Sequence, residues 1–163
     1  MLVRSIAICL LLTAAPATLA AQALAPSVRD SIRYRFADPA GHPGARPLTD
    51  SRTGQVYVLS DTIVLDGHGI DSVEVRSRRI GGDTTVDVIA RLRPSVVAGF
   101  STATASHIGQ VLVVTIADRI VAAGVVTSRL GSVVPLQSDV RRSTADSLAA
   151  RVNGAPSGVR KAP

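Results

Sequence analysis

Residues 106–154 constrain the fold of this chain more than any other stretch. They run as the end of an amphipathic helix, an apolar segment, a tight turn, a returning strand, a further extended segment and a second helix. The apolar segment, Val111 to Ala117, is rich in β-branched residues and almost uninterrupted by polar ones, which is typical of a strand buried on both faces. Asp118-Arg119 supplies the turn, and Ile120 to Thr127 returns. The pattern predicts a central strand and its antiparallel neighbour.

A β-hairpin is the clearest element upstream. Asp71 to Ile80 and Asp83 to Arg93 are both β-rich, and Gly81-Gly82 between them suits the positive φ angles of a two-residue turn. Ser31 to Ala37 alternates apolar and basic residues, which predicts a half-buried strand. The inward residues of that strand are expected to be Ile32, Tyr34 and Phe36, and the outward residues Arg33 and Arg35.

The segments between these elements are interpreted from composition. Asp38 to Gly54 is rich in Pro, Gly and Asp, so it is predicted to be a loop. Short strands are expected over 56–59 and 62–65, followed by a turn over 66–69. A further strand is expected over 131–137.

A first helix is predicted to begin at Pro94, where the missing N–H of proline has no cost, and to end at Gly109. Its apolar positions recur at helical spacing and would cover the sheet. These positions are Val97, Phe100, Thr104 and Ile108.

A second helix is predicted from Arg141 or Arg142 to Val152, with Ser143 or a neighbour as its cap and Gly154 after its end. Strand, helix, hairpin and helix in this order favour an open sheet with helices packed on one face. We therefore predict an α+β fold, a ferredoxin-like open sheet with two helices on one face.

The chain begins with the three-part pattern of a secretory signal peptide. Met1 to Arg4 is basic, Ile6 to Leu12 is apolar, and small residues follow up to a cleavage site near Ala21 to Ala23. The apolar run is well short of the roughly 20 residues that a spanning helix needs. Cleavage would remove Cys9, the only cysteine, so the mature protein would have no disulfide. A periplasmic or secreted protein is predicted.

The domain organisation follows from these patterns. We predict a cleaved signal peptide over 1–21, an N-terminal strand and loop over 22–54, an α+β domain over 55–154 and a disordered tail over 155–163. About 140 mature residues are enough for one domain with a core.

The formal net charge is +6, and arginine carries nearly all of the positive charge because Lys161 is the only lysine. An arginine-rich, high-GC coding bias explains this composition, and the alternative is a surface that meets anions. Nucleic acid is not expected as a partner, since an exported protein with four aromatic residues has no stacking platform of the kind that single-strand binders use.

The sequence contains no motif for catalysis, cofactor binding or metal binding. His42, His68 and His107 are far apart and form no zinc motif, and no nucleophile elbow occurs. Three aspartates recur every five residues, but calcium loops need closer ligands; they are Asp61, Asp66 and Asp71. We therefore predict a protein that is not an enzyme and has no cofactor and no metal.

From about residue 55 to residue 154 the chain resembles the periplasmic head subdomain of SecD, a membrane subunit of the bacterial protein-export machinery. Ile108-Gly109 stands at the helix end, and Val111 to Ile116 matches the apolar strand. Asp118-Arg119 takes the turn position, and 121–126 the strand after it. Ala145 and Leu148-Ala149 stand where the final helix of the head makes its contacts.

The sequence departs from the SecD pattern at three positions. Arg119 replaces a turn glycine, Gly124 replaces a proline, and Gly131 stands for a glycine pair. The charged proton path of SecD lies in membrane segments that are not seen in this sequence, so we expect binding and not proton-driven movement. The resemblance implies an exported domain that contacts extended polypeptide, with unfolded exported chains or translocon subunits as partners.

A cluster of arginines on the predicted hairpin is the candidate binding surface for an anion or a peptide. Its members are Arg76, Arg78, Arg91 and Arg93. One interpretation is a solvated face balanced by Glu74, Asp83 and Asp87; the other is a basic stripe that binds anionic lipid or polymer of the cell envelope. The second interpretation is the alternative to polypeptide binding.

Overall fold

The structure is a computed structural model. It describes residues 27–38, 40–41, 45, 47–80 and 83–154, without the side chains of residues 79, 80, 83 and 84. The predicted signal peptide, His42, the Gly81-Gly82 turn and the predicted tail lie outside the described residues.

The described residues form strands and two helices. The strands are β1 (Ile32–Phe36), β2 (Pro47–Thr49), β3 (Val56–Val58), β4 (Leu65–Asp66), β5 (Ile70–Ile80), β6 (Asp83–Leu92), β7 (Val111–Ile116), β8 (Arg119–Val125) and β9 (Val133–Gln137). The helices are α1 (Pro94–Ala105) and α2 (Arg142–Asn153). The α+β class is confirmed.

Within this part of the chain the strands form a four-stranded sheet in the order β4-β1-β7-β8, a three-stranded sheet β5-β6-β9 and the pair β2-β3. All of these pairings are antiparallel. The strands are thus divided among several sheets where the sequence predicts one open sheet. This division buries both faces of the four-stranded sheet. One face packs on the three-stranded sheet, and the other packs on β2-β3.

The main core lies between the four-stranded and three-stranded sheets, and Tyr34 on β1 is at its centre. The Tyr34 side chain is fully buried and meets the Phe100 ring of α1 edge-to-face, with ring centroids 6.0 Å apart. Its hydroxyl donates a hydrogen bond to the Pro135 carbonyl of β9 at 3.0 Å. One side chain therefore links β1, α1 and β9.

The prediction that β7 is buried on both faces is confirmed. Leu112 and Val114 belong to the main core, whereas Val113 lies in a second core cluster with Leu59 and Ile120. Leu48 of β2 and Tyr57 of β3 pack against that second cluster. The prediction of a loop over 38–54 is therefore wrong for the short strand β2.

The covering of the second face also changes the placement of two arginines. Arg33 and Arg35 lie beside Thr115 and Val113 of β7, which are both buried, and neither arginine is fully exposed. The prediction that they face away from Ile32, Tyr34 and Phe36 is confirmed, but both side chains are half-buried because a second layer packs on that face. The period-two pattern identifies which residues share a face, but it does not reveal what packs on that face.

Helix α1 is shorter than predicted. Phe100 and Thr104 are buried as expected, and the Thr104 hydroxyl accepts a hydrogen bond from the Leu130 amide at 3.0 Å. Ile108 lies beyond the helix and is 57% exposed, so its predicted packing on the sheet is wrong. The reason is the turn after Ala105, in which Gly109 (φ 91°) donates its amide to the Val126 carbonyl at 2.8 Å.

Helix α2 packs on β5 and β6. Its N-cap is Arg141, which makes no side-chain capping bond, so the predicted side-chain cap from Ser143 or a neighbour is not found. Its end at Gly154, in the left-handed conformation, is as predicted. Each of the helices described has twelve residues, too few to span a membrane.

We predict that Tyr34→Phe lowers the free energy of unfolding by about 1–3 kcal/mol, because the Pro135 carbonyl would lose its buried donor. Urea denaturation followed by circular dichroism measures the change. Tyr57→Phe is the matched control, since no described residue hydrogen-bonds the Tyr57 hydroxyl, and we expect about 0.5 kcal/mol or less. Equal effects of the two substitutions would contradict the assigned role of Tyr34.

Candidate functional site

The register of the β5-β6 hairpin places three of the four candidate arginines on one face. Arg76 lies opposite Asp87, and Arg78 lies opposite Thr85. Glu74 and Arg91 lie on the same face of the hairpin, which is the outer face, turned away from the core. We call the set of Arg76, Arg78, Arg91, Glu74 and Asp87 the arginine face. The pairing of Ile80 with Asp83 leaves two residues between the strands, as the sequence predicts.

Arg93 lies beyond the end of β6 and does not belong to the arginine face. It is the N-cap residue of α1, and its amide donates to the Gly69 carbonyl at 2.9 Å. Its guanidinium Nε donates to the Ile70 carbonyl at 3.4 Å. The fold therefore uses Arg93 to hold the start of α1 against the segment before β5.

The two carboxylates of the arginine face are paired with all three of its arginines. Glu74 accepts hydrogen bonds from Arg91 and, at 3.2 Å, from Arg76. Asp87 forms an ion pair with Arg78 at 3.4 Å. Three arginines against two carboxylates leave a formal charge of +1 on the arginine face.

These ion pairs do not use all of the hydrogen-bond donors of the arginines. The side chains of Arg76 and Arg78 remain 53% and 54% exposed. A guanidinium has five N–H donors, and each of these pairs uses only part of that capacity. Exposed ion pairs are also weak, because water and salt screen them. Arg76 and Arg78 therefore retain exposed N–H donors that these ion pairs do not use.

The outer edge of β5 is the second feature of the site. In an antiparallel ladder, alternate residues direct their N–H and C=O groups away from the paired strand. On β5 the first of these is Val73, whose amide and carbonyl both bond the Asn153 side chain, each at 2.9 Å. Arg29 donates to the Asp71 carbonyl at 3.2 Å. Side chains thus cover the first part of this edge.

Past Val73 the edge is open. No described residue forms a hydrogen bond with the outward amide and carbonyl groups of Val75 or Ser77. We call the outward main chain over 75–79 the open edge. Arginines flank it on both sheet faces, with Arg76 and Arg78 on the outer face and Arg142 on the inner, where Arg142 donates to the Ser77 hydroxyl at 3.1 Å.

A groove of about 820 Å³ lies between β3 and the turn after α1. Apolar side chains dominate its lining, among them Phe36, Val56, Val58 and Val64. The His107 ring stacks on Phe36 with centroids 4.1 Å apart. The stack joins residues far apart in the chain, so no local sequence pattern predicts it.

Hydrogen bonding fixes the protonation site of His107. Its Nδ1 lies 2.7 Å from the Ala103 carbonyl, which can only accept. Nδ1 therefore carries the proton, and in the neutral ring Nε2 is an acceptor.

Asp66 and His68, two of the residues considered for metal binding, belong to a turn. Asp66 Oδ1 accepts the amides of His68 and Gly69 at 2.9 and 3.3 Å, so it caps the short 3₁₀ turn over 67–69. His68 is 73% exposed and lies near Asp30. Among the described residues, no group of three or more His, Cys, Asp or Glu side chains is arranged to hold a metal ion.

Comparison of the fold with solved structures finds SecDF. One match is a structure described as a membrane component SecDF that enhances protein export, with 14% sequence identity and a TM-score of 0.54 over 76% of this chain. Another is SecDF in a super-membrane-facing form, with 15% identity and a TM-score of 0.56 over 78% of this chain. The resemblance to SecD is confirmed, and at this identity it is a likeness of fold.

The chain spans 62% of the length of the first of these structures and 19% of the second. No model of a protein family matches the sequence. No curated protein sequence matches it either. The fold is therefore the part of the resemblance that the comparisons establish.

Glu74 provides a direct probe of the arginine face. Hydrogen bonds from Arg91, and next from Arg76, hold the pKa of the Glu74 carboxyl below its ordinary value. The paired form of the carboxylate therefore stabilises the fold above the unfolded pKa, and that contribution is lost as pH falls through the folded pKa.

We predict that Arg91→Gln raises the Glu74 pKa toward its ordinary value, and that Arg76→Gln raises it by less. Because Glu74 is the only glutamate, ¹³C NMR of a glutamate-labelled sample follows its carboxyl through an acid titration without overlap. Arg119→Gln, on the distant strand β8, should leave the value unchanged. An unchanged Glu74 pKa in Arg91→Gln would show that the pair does not form in solution.

Proposed function

We propose that this chain is an exported, non-enzymatic SecD-like domain that binds extended polypeptide at the open edge of β5. The likeness to SecDF, a component described as enhancing protein export, supports a place in export. The open edge is the observation that carries the binding function, because it presents main-chain groups with which no described residue pairs.

Binding at this edge would be β-strand addition. The outward amides and carbonyls of Val75 and Ser77 would pair with the main chain of an incoming strand, which extends the β5-β6-β9 sheet by one strand. Main-chain hydrogen bonds tolerate many side chains, so this mode suits polypeptides of varied sequence. Strand β8 also lies at a sheet edge, but β2 and β9 both contact it.

The proposal includes location and partners. Cleavage near Ala21 to Ala23 would release the domain into the periplasm or outside the cell, and its partners would be unfolded exported chains or translocon subunits. Its own chemistry would be limited to binding, without cofactor or catalysis. Release of a guest strand would require only the breaking of main-chain hydrogen bonds, each with a net value of about 0.5–1.5 kcal/mol.

We predict that Ser77→Pro weakens binding of an unstructured, uncharged 20-residue peptide of Ser, Thr, Val and Asn by roughly tenfold or more. Proline removes the outward N–H of Ser77 and leaves the β5-β6 hydrogen bonds in place, because its neighbours make them. Fluorescence anisotropy of the labelled peptide measures the affinity.

Ser77→Ala is the matched control. Both variants lose the hydroxyl that accepts from Arg142, but only the proline variant loses the amide donor. We expect Ser77→Ala to bind as the unmodified chain does, and thermal melts show whether both variants are folded. Equal affinity of the proline and alanine variants would refute binding at this edge.

The alternative function is binding of anionic lipid or envelope polymer by Arg76, Arg78, Arg91 and Arg93. Four arginines on one hairpin and its end favour it. The pairing of three of them with Glu74 and Asp87 reduces the free positive charge that such binding needs. Edge pairing does not depend on that charge, so polypeptide binding is the function that the geometry supports best.

We predict that the affinity of this chain for the uncharged 20-residue peptide changes little between about 0.05 and 0.5 M salt, because main-chain hydrogen bonds between uncharged groups are not screened by salt.

The alternative function predicts that the chain binds phosphatidylglycerol vesicles at low salt and that high salt abolishes this binding. It also predicts that the chain no longer binds these vesicles when it carries four substitutions together, namely Arg76→Ser, Arg78→Ser, Arg91→Ser and Arg93→Ser. Vesicle flotation tests both, with phosphatidylcholine vesicles as the uncharged control. Salt-insensitive vesicle binding would exclude the alternative.

A further inference from the structure

The open edge is short, and its limits define which residues of a guest strand face which side chains. Asn153 occupies both main-chain groups of Val73, so a guest strand begins to pair only from Val75 onward. The outer-face side chains of β5 in this stretch are Arg76 and Arg78. Any guest strand, parallel or antiparallel, therefore has two alternate residues, i and i+2, beside these arginines.

Directly opposed residues on neighbouring strands have Cβ atoms about 4.5–5.5 Å apart, so opposite charges attract there and like charges repel. Arg76 and Arg78 are each more than half exposed, and their existing pairs with Glu74 and Asp87 leave guanidinium donors unused. A carboxylate at position i or i+2 of the guest strand would accept hydrogen bonds from these donors. A lysine or arginine there would be repelled.

The same geometry argues against a second copy of this chain as the occupant. A symmetric antiparallel pair of open edges can be centred at residue 76, 77 or 78. A centre at residue 77 or 78 places Arg76 or Arg78 directly opposite an arginine of the second copy, which is unfavourable. A centre at residue 76 opposes the two copies of Arg76 but also places Arg78 opposite Glu74 of the second copy, which offsets the repulsion. The arginines thus disfavour self-association through the edge in two of these three registers.

We infer that the open edge of β5 selects extended segments that carry acidic side chains at two alternate positions, i and i+2, facing Arg76 and Arg78. This inference rests on the proposed function and specifies its preferred substrate. Main-chain pairing supplies sequence-tolerant binding, and the two arginines add a preference for acidic segments. Arg91 does not take part in that preference, because it lies on β6 and β5 separates it from the guest strand.

The experiment uses the signal-processed chain and three blocked seven-residue threonine peptides with Asp, Asn or Lys at positions 3 and 5. We expect the Asp peptide to bind roughly three- to thirtyfold more tightly than the Asn peptide, and the Lys peptide to bind least. In Arg76→Gln/Arg78→Gln, the Asp and Asn peptides should bind equally. Competition against the labelled 20-residue peptide measures each affinity.

The control variant is Arg119→Gln/Arg129→Gln, which removes the same charge from exposed positions outside the hairpin and should keep the Asp preference. If all three peptides bind equally and Ser77→Pro abolishes their binding, the inference is overturned and the proposed function stands. If the preference disappears equally in both double variants, net charge and not Arg76 and Arg78 causes it, which also overturns the inference. If neither the seven-residue peptides nor the 20-residue peptide binds, the proposed function itself fails.

Discussion

The burial of Tyr34 is the interaction on which the rest of the structure depends. A tyrosine ring at the centre of a core contributes a large apolar area, but its hydroxyl must be satisfied there. The hydrogen bond to the Pro135 carbonyl meets that need and fixes β1 against β9, while Phe100 holds α1 over the same ring. Burial also raises the pKa of the Tyr34 hydroxyl far above its ordinary value, so the group remains a donor at any physiological pH.

The position of the open edge is a consequence of this packing. Docking of the two larger sheets across Tyr34 buries the inner side chains of the hairpin and places β9 beside β6, so β5 remains at the edge. The last turn of α2 then places Asn153 against Val73, where a single amide side chain replaces a missing strand at one residue. The rest of the edge stays available because no further element of the described chain reaches it.

Natural proteins protect exposed sheet edges with charged side chains, which prevent uncontrolled pairing. In this chain the arginines of β5 fit that role, and Glu74 and Asp87 limit the charge that results. The same side chains that discourage self-association can favour acidic guests. Protection and selectivity thus have one physical origin, the repulsion or attraction between directly opposed residues on neighbouring strands.

The sequence alone determined the elements whose patterns are local. The apolar run of β7, the antiparallel pairing of β5 with β6 and the end of α2 at Gly154 all follow from neighbouring residues, and all are found. The spacing put Arg76 and Arg78 on one side of β5, and Arg91 and Arg93 on one side of the next strand, but it did not say whether the two sides coincide. The register of β5 and β6 brings Arg76, Arg78 and Arg91 to one face, and Arg93 lies beyond the strand.

Only the tertiary structure decided what packs on each face and which groups stay unpaired. The covering of Arg35 by a second layer, the stack of His107 on Phe36 and the pairing of Arg91 with Glu74 all join residues distant in sequence. The open edge likewise depends on where α2 ends relative to β5. Local periodicity sets the direction of a side chain, whereas its partner depends on how the sheets and helices pack, and no local pattern encodes that.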